Sequence, residues 1–206
     1  MIPVVEVTLS WLFKNARGRD EKCFFKSPAF ADHPEQTITV TSPDCGPANT
    51  TLTTDYTQDG IGRIPTLEWA APDSIKGSVK EWLVVNEDPD APLPTPICHG
   101  LYAGIPPHKT RLDPSDFAVQ DDEGQSLLLK GGFYYGKNRR GTVYIPPRPL
   151  LNHGPHRYFF EVIALSEPLD KELLKTRPTR EQIAEAIQGK VLGWGMWVGV
   201  AERKWS

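Results

Sequence analysis

The chain has 206 residues, 39% hydrophobic and 24% charged, with a formal net charge of -3; this is ample for a sizeable core and too apolar for disorder. No stretch reaches about 18 consecutive apolar residues, which excludes a membrane-spanning helix. The 23 basic and 26 acidic residues form no long like-charged block, so nucleic acid is not an expected partner. The opening residues place Glu6 inside their short apolar stretch and carry no basic leader, so we expect one cytoplasmic domain over residues 1–206. Cys23, Cys45 and Cys98 are odd in number and widely spaced, as expected for small buried hydrophobes and not for a disulfide framework or a metal knuckle. We therefore expect no metal and no cofactor.

The 20 prolines are about twice the usual share, and they recur along the whole chain at intervals that suit strands and turns, not long helices. Residues 37–42 alternate β-branched side chains and end in a turn cluster at Pro43 and Asp44. A strand is predicted at 67–70, and a second at 81–86, whose near-continuous apolar run marks it as an inner strand. Further strands are predicted over residues 99–105, 142–145 and 158–165. The segment 169–174 has room for a turn or two of helix. Thr179 and Gln182 form a capping-box pattern ahead of Ile183, Ala184, Ile187 and Val191, with Gly189 as the stop. From Val191 the period becomes two, with Leu192, Trp194, Met196, Val198 and Val200 on one face and Gly193, Gly195 and Gly199 on the other, so another backbone is expected close to the bare side.

Gly131 to Asn138 resembles a phosphate loop through Gly136 and Lys137, but Asn138 stands where the magnesium-binding hydroxyl belongs and no helix follows, so we read it as a plain loop. Two constellations remain. Asp88-Pro89-Asp90-Ala91-Pro92 lies at the exit of the inner strand, with His99 at the start of the next. Taken alone it reads as a rigid turn whose aspartates accept backbone N–H groups. Gly154, Pro155, His156, Arg157 and Tyr158 form the second. Here a turn delivers His156 and Tyr158 to one face of a strand, and Arg157 points the other way, suited to a carboxylate.

Together, in this order, and with the paired prolines Pro146 and Pro147, the two boxes resemble those of the phosphatidylethanolamine-binding proteins, a family that includes the Raf kinase inhibitor proteins. The resemblance runs from about Thr37 to about Arg203 and is nearest to the bacterial and fungal branch. It implies a mainly β (β-rich α+β) fold, a large antiparallel sheet packed on a smaller one with short peripheral and C-terminal helices. It also implies one pocket for a small anionic ligand, such as a phospholipid head group, phosphate or carboxylate. Carried over, the ligand-binding residues are Asp88, Asp90, Ala91, Pro92, His99, His156 and Tyr158, with Gly154 and Pro155 at the edge. If the chain is an enzyme, Asp88, His99 and His156 are its acid and base groups, acting on a small acid or anhydride as in fungal secondary metabolism. A third reading is inhibition of a kinase or protease partner by surface contact. Two imidazoles and a phenol can donate to an anion, and His156 is expected to be partly exposed. Ile145 stands where many relatives have glycine, which implies a narrower, more apolar rim.

Overall fold

In the computed structural model, which describes residues 3–120 and 126–205, nine strands follow in chain order. They are β1 (Thr39–Thr41), β2 (Thr50–Thr51), β3 (Leu67–Ala70), β4 (Glu81–Asp88), β5 (Ile97–Ile105), β6 (Arg111–Leu112), β7 (Tyr134–Tyr135), β8 (His156–Leu165) and β9 (Val191–Ala201). The helices are α1 (Pro3–Leu12), α2 (Lys171–Lys175) and α3 (Arg180–Ala186). Six strands form the large sheet in the order β2-β9-β8-β4-β5-β7, and β1-β3-β6 form the small one. The pairing is antiparallel except where β2 runs parallel to β9. This is the sheet-dominated, few-helix architecture that the sequence implies.

The apolar run of β4 makes it an inner strand, buried along its whole length between β5 and β8. Alternate side chains of a strand point to opposite faces, so β4 and β8 serve two cores at once. Trp82, Val84, Tyr158, Phe160 and Val162 meet Val40, Leu67 and Trp69 of the small sheet. Leu83, Val85 and Ile163 meet Phe24, Phe30, Leu174 and Ile183 on the helical side. Asp88 and His156 continue the first set at the end of the sheet, whereas Glu87 and Glu161 belong to the second.

The glycine side of β9 faces inward, and a backbone does approach it: a Cβ on Gly195 would lie 1.8 Å from the carbonyl oxygen of Ile38. There the N–H groups of Thr37 and Ile38 both donate to the Trp194 carbonyl, at 2.8 and 3.1 Å. The Thr179–Gln182 capping box forms at the start of α3.

One expectation requires correction, and one helix has no counterpart in the sequence reading. Residues 142–145 form no strand, because the Asn138 side chain captures the backbone of Thr142, accepting from its N–H at 3.1 Å and donating to its carbonyl at 2.7 Å. The β-branched run at the N-terminus carries no helix signal, yet α1 forms from Pro3, the first two residues lying outside the described ones. Tertiary bonds hold it: buried Glu6 accepts from the Leu151 N–H at 3.1 Å and from Arg203 at 2.6 Å. None of the helices described is long and apolar enough to cross a membrane.

Candidate functional site

Three strand ends meet at one place because β4 lies between β5 and β8. Asp88 ends β4, His99 lies near the start of β5, and His156 opens β8 with Tyr158 two residues on. The Asp88 carboxyl has two jobs. Its Oδ1 accepts the N–H groups of Asp90 and Ala91 at 2.8 and 3.0 Å, which is the rigid turn read from the sequence. Its Oδ2 lies 2.9 Å from Nδ1 of His156. On the far side of that ring, Nε2 is 2.7 Å from Nδ1 of His153, whose own Nε2 is 3.0 Å from the carbonyl oxygen of Phe13.

His99 is held differently. Its Nδ1 is 2.6 Å from the carbonyl oxygen of Ile145 and must carry the hydrogen there. Burial pushes the imidazole below its ordinary pKa, against the pull of Asp88, so the ring is neutral and Nε2 presents a lone pair. The His99 ring meets Tyr158 edge to face at 5.1 Å between centroids. Burial, and then the charge of Asp88, raise the Tyr158 phenol well above its ordinary value, so it stays an O–H donor. His99 Nε2 has no hydrogen-bond partner among the described residues, and the Tyr158 hydroxyl has none of full geometry, the Arg148 backbone N–H approaching its oxygen while its own hydrogen stays free to donate. Ile145 is buried, and its carbonyl, whatever the side chain, is what fixes the tautomer of His99.

The expectation of a partly exposed His156 fails, since only 2% of its surface is accessible. Asp88, His99 and Tyr158 are equally enclosed. Of the other predicted site residues, Ala91 contributes its N–H to Asp88, Pro92 is half-buried and Pro155 is exposed at the edge. Asp90 is drawn away: its carboxylate accepts from the Arg157 N–H and guanidinium at 2.8 to 2.9 Å, and Arg157 reaches on to Asp20. Burial alone would raise the Asp90 carboxyl, but the bonds from Arg157 outweigh it and hold the group below the usual range. Arg157 is thus the carboxylate partner its place on the strand suggests.

The sequence reading missed His153 and the segment over residues 13–19. A second histidine three positions ahead of His156, across a Gly-Pro turn, was the available signal for the first. Two open clefts, of about 590 and 450 Å³, are lined by neither histidine nor by Asp88 or Tyr158. They adjoin Arg180 and Glu181, on the helical side of the large sheet. The larger one is lined by Ser27, whose buried hydroxyl also has no partner among the described residues, but neither cleft is lined by an imidazole.

Comparison with known proteins agrees with this fold. Residues 42–202 match the family model described as phosphatidylethanolamine-binding protein. The chain is 47% identical over 204 residues to "Phomoidride biosynthesis cluster protein B" of Talaromyces stipitatus, covering 98% of this chain and 82% of that one. A protein of the same name from Fungal sp. is 46% identical over 208 residues, covering 100% and 98%. The crystal structure of a putative homologue from Chlamydia trachomatis superposes with a TM-score of 0.63 at 23% identity, over 82% of this chain and 99% of that one, a likeness of fold. The chain belongs to the phosphatidylethanolamine-binding protein family.

Proposed function

We propose that this protein binds a small carboxylic acid or anhydride in the pocket of Asp88, His99, His156 and Tyr158 and moves a proton on it, as one step of a fungal biosynthetic route. The observation that carries this reading is a buried donor close to a buried acceptor, each left free, the Tyr158 O–H and the lone pair on His99 Nε2. A carbonyl oxygen accepting from Tyr158 would bring the adjoining C–H towards His99. Breaking that C–H bond leaves its electron pair in an enolate held by the phenol, and the proton passes to Nε2. Asp88 and His156 supply the group that returns a proton.

A phosphate dianion or phospholipid head group suits the pocket less well, because neutral His99 offers a lone pair instead of a charge, and Asp88 adds a carboxyl. The names of the two fungal relatives favour a biosynthetic step over a carrier or a surface inhibitor of a kinase or protease. The test is exchange of the methyl protons of dimethylmaleic anhydride in deuterated buffer, followed by NMR. Exchange should exceed the buffer rate and fall about 100-fold or more in His99→Gln. Exchange no faster than in buffer, with phosphoethanolamine bound tightly in calorimetry, would return the pocket to a head-group carrier.

A further inference from the structure

The row running from Asp88 through His156 and His153 to the Phe13 carbonyl has three contacts, at 2.9, 2.7 and 3.0 Å, and an oxygen at each end. Each contact needs one hydrogen, and the carbonyl supplies none. The carboxyl and the two rings must therefore share three hydrogens. A carboxylate and two neutral imidazoles have two between them, so the closed row holds one more. That extra proton has two homes. Either one ring is an imidazolium against an Asp88 carboxylate, or Asp88 is protonated and both rings carry their hydrogen on Nε2. With the charge on His156, passing from one form to the other shifts a single hydrogen across the Asp88–His156 bond, and His153 keeps its hydrogen towards Phe13 throughout.

The Phe13 end is the one that no strand fixes. Asp88 and His156 are set by β4 and β8, and His153 by the turn before β8. Phe13 belongs to a strap, residues 13–19, laid across both sequence boxes. Gly18 donates to Asp90 Oδ1 at 3.2 Å and Arg19 to the Pro89 carbonyl at 2.9 Å. Arg17 donates to the His153 carbonyl and lies over Gly154, where φ is +92° and a Cβ would come within 2.8 Å of the guanidinium. The positive φ favours glycine at 154, and a side chain there would also displace the Arg17 guanidinium.

Loss of the extra proton leaves one of the three contacts with two lone pairs facing each other. The geometry indicates which. Asp88, His156 and His153 are set by β4, β8 and the turn before β8, whereas the Phe13 carbonyl is carried by the strap and can move off its partner. The mispaired contact is therefore relieved at the His153–Phe13 end.

We propose that His153 is a positioning residue that ties the proton held by Asp88 and His156 to closure of the 13–19 strap, so that the closed pocket is the protonated one and release of that proton to water opens it. This deepens the proton-handling reading of the same pocket, but its readout moves whether or not any acid is turned over. The measurement is hydrogen–deuterium exchange of the Ala16, Gly18 and Arg19 amides in the full-length protein, corrected for intrinsic rates and referred to β4. Protection should be about tenfold greater at acid than at alkaline pH, the effect of losing one hydrogen bond to the strap. In His153→Gln, whose amide donates to Phe13 at any pH, the profile should be flat. A flat profile in the wild type overturns the proposal, as does a step that persists in the variant. If the variant fails to fold, the wild-type profile and ¹⁵N spectra of its histidines still decide. Two rings that together carry only two hydrogens at the lower pH, with Asp88 ionised, would contradict the three-hydrogen count.

Discussion

Glu87 and Asp88 are neighbours on one strand, yet they face opposite sides of the large sheet, and on each side a buried acid meets a polar residue of β8. On the helical side Glu87 is an ion-pair partner of Arg180 and accepts the Phe24 N–H at 2.7 Å. The wholly buried Glu161 abuts it, and burial, followed by the charge of Glu87, pushes Glu161 well above the usual carboxylate range. Two carboxyls beside one guanidinium leave one negative charge over, and a proton on Glu161 removes it. On the pocket side no guanidinium intervenes. Asp88 joins a row of two imidazoles with a transferable proton, and a lone pair and a phenol stand free beside it. Burial and a displaced pKa occur on both sides, so neither marks a site. Unpartnered buried atoms also occur on both sides, since neither carboxyl oxygen of Glu161 has a partner among the described residues. What sets the pocket side apart is a phenol and an imidazole lone pair close together, beside the row of Asp88, His156 and His153.

The comparison breaks most visibly at Arg180. Replacing it with Met strands the Glu87 carboxylate in a core, and should cost about 3–5 kcal/mol in denaturant unfolding. The folded fraction should keep its methyl-exchange rate, because the pocket lies on the other face. A loss below about 1 kcal/mol would mean that Glu87 is not held as an ion.

Glu161→Gln sharpens the same side through pH. A carboxyl whose folded pKa is raised stabilises the fold fully below its unfolded value of 4.5. That contribution is lost as pH rises through the raised folded value. Gln keeps the shape of the protonated acid without the titration. Thermal melts should therefore match wild type near pH 4.5, with the variant more stable by on the order of 1 kcal/mol at neutral pH. Equal melting at both pH values would mean that Glu161 is not the protonated member.

How far the sequence discloses all this differs by element. The inner strand β4, the paired faces of β9 and the start of α3 follow from local apolar period and capping, because burial there is continuous and the signals lie within a few residues. The strand expected over residues 142–145 and the helix α1 turn on side-chain contacts that hydrophobic period does not announce, Asn138 onto the backbone of Thr142 four residues on, and Glu6 onto Leu151 and Arg203 far along the chain. At the site, the two boxes give Asp88, His99, His156 and Tyr158, and the pairing of β4 with β5 and β8 brings them together. Asp90 shares the first box but answers to Arg157, since alternation sends its partner to the other face. His153 and Phe13 meet through the strap, more than a hundred residues apart in the chain. The burial of His156 also changes what its removal reports. With both ring nitrogens bonded, His156→Ala costs about 1–3 kcal/mol whatever its role, so a fall in melting temperature does not separate structure from function there.

Tyr158→Phe makes that separation, with the smallest expected effect on stability. The hydroxyl is buried with no partner of full geometry among the described residues, only the Arg148 N–H approaching its oxygen, so deleting it costs the fold little. The ring stays, with its edge-to-face contact to His99 and its place in the core between the sheets. Thermal stability should therefore match wild type to within about 0.5 kcal/mol, or rise slightly. If the phenol is the donor to a substrate carbonyl, the same deletion should slow methyl exchange by about 10- to 100-fold, while the His99 lone pair still faces the substrate. A variant that melts well below wild type would mean that the hydroxyl has a structural partner, and one that exchanges at the wild-type rate would leave the pocket without its electrophilic group. Loss of exchange in a protein of unchanged stability is the result that a purely structural pocket cannot give, because a hydroxyl with no bond of full geometry in the fold has little else to lose.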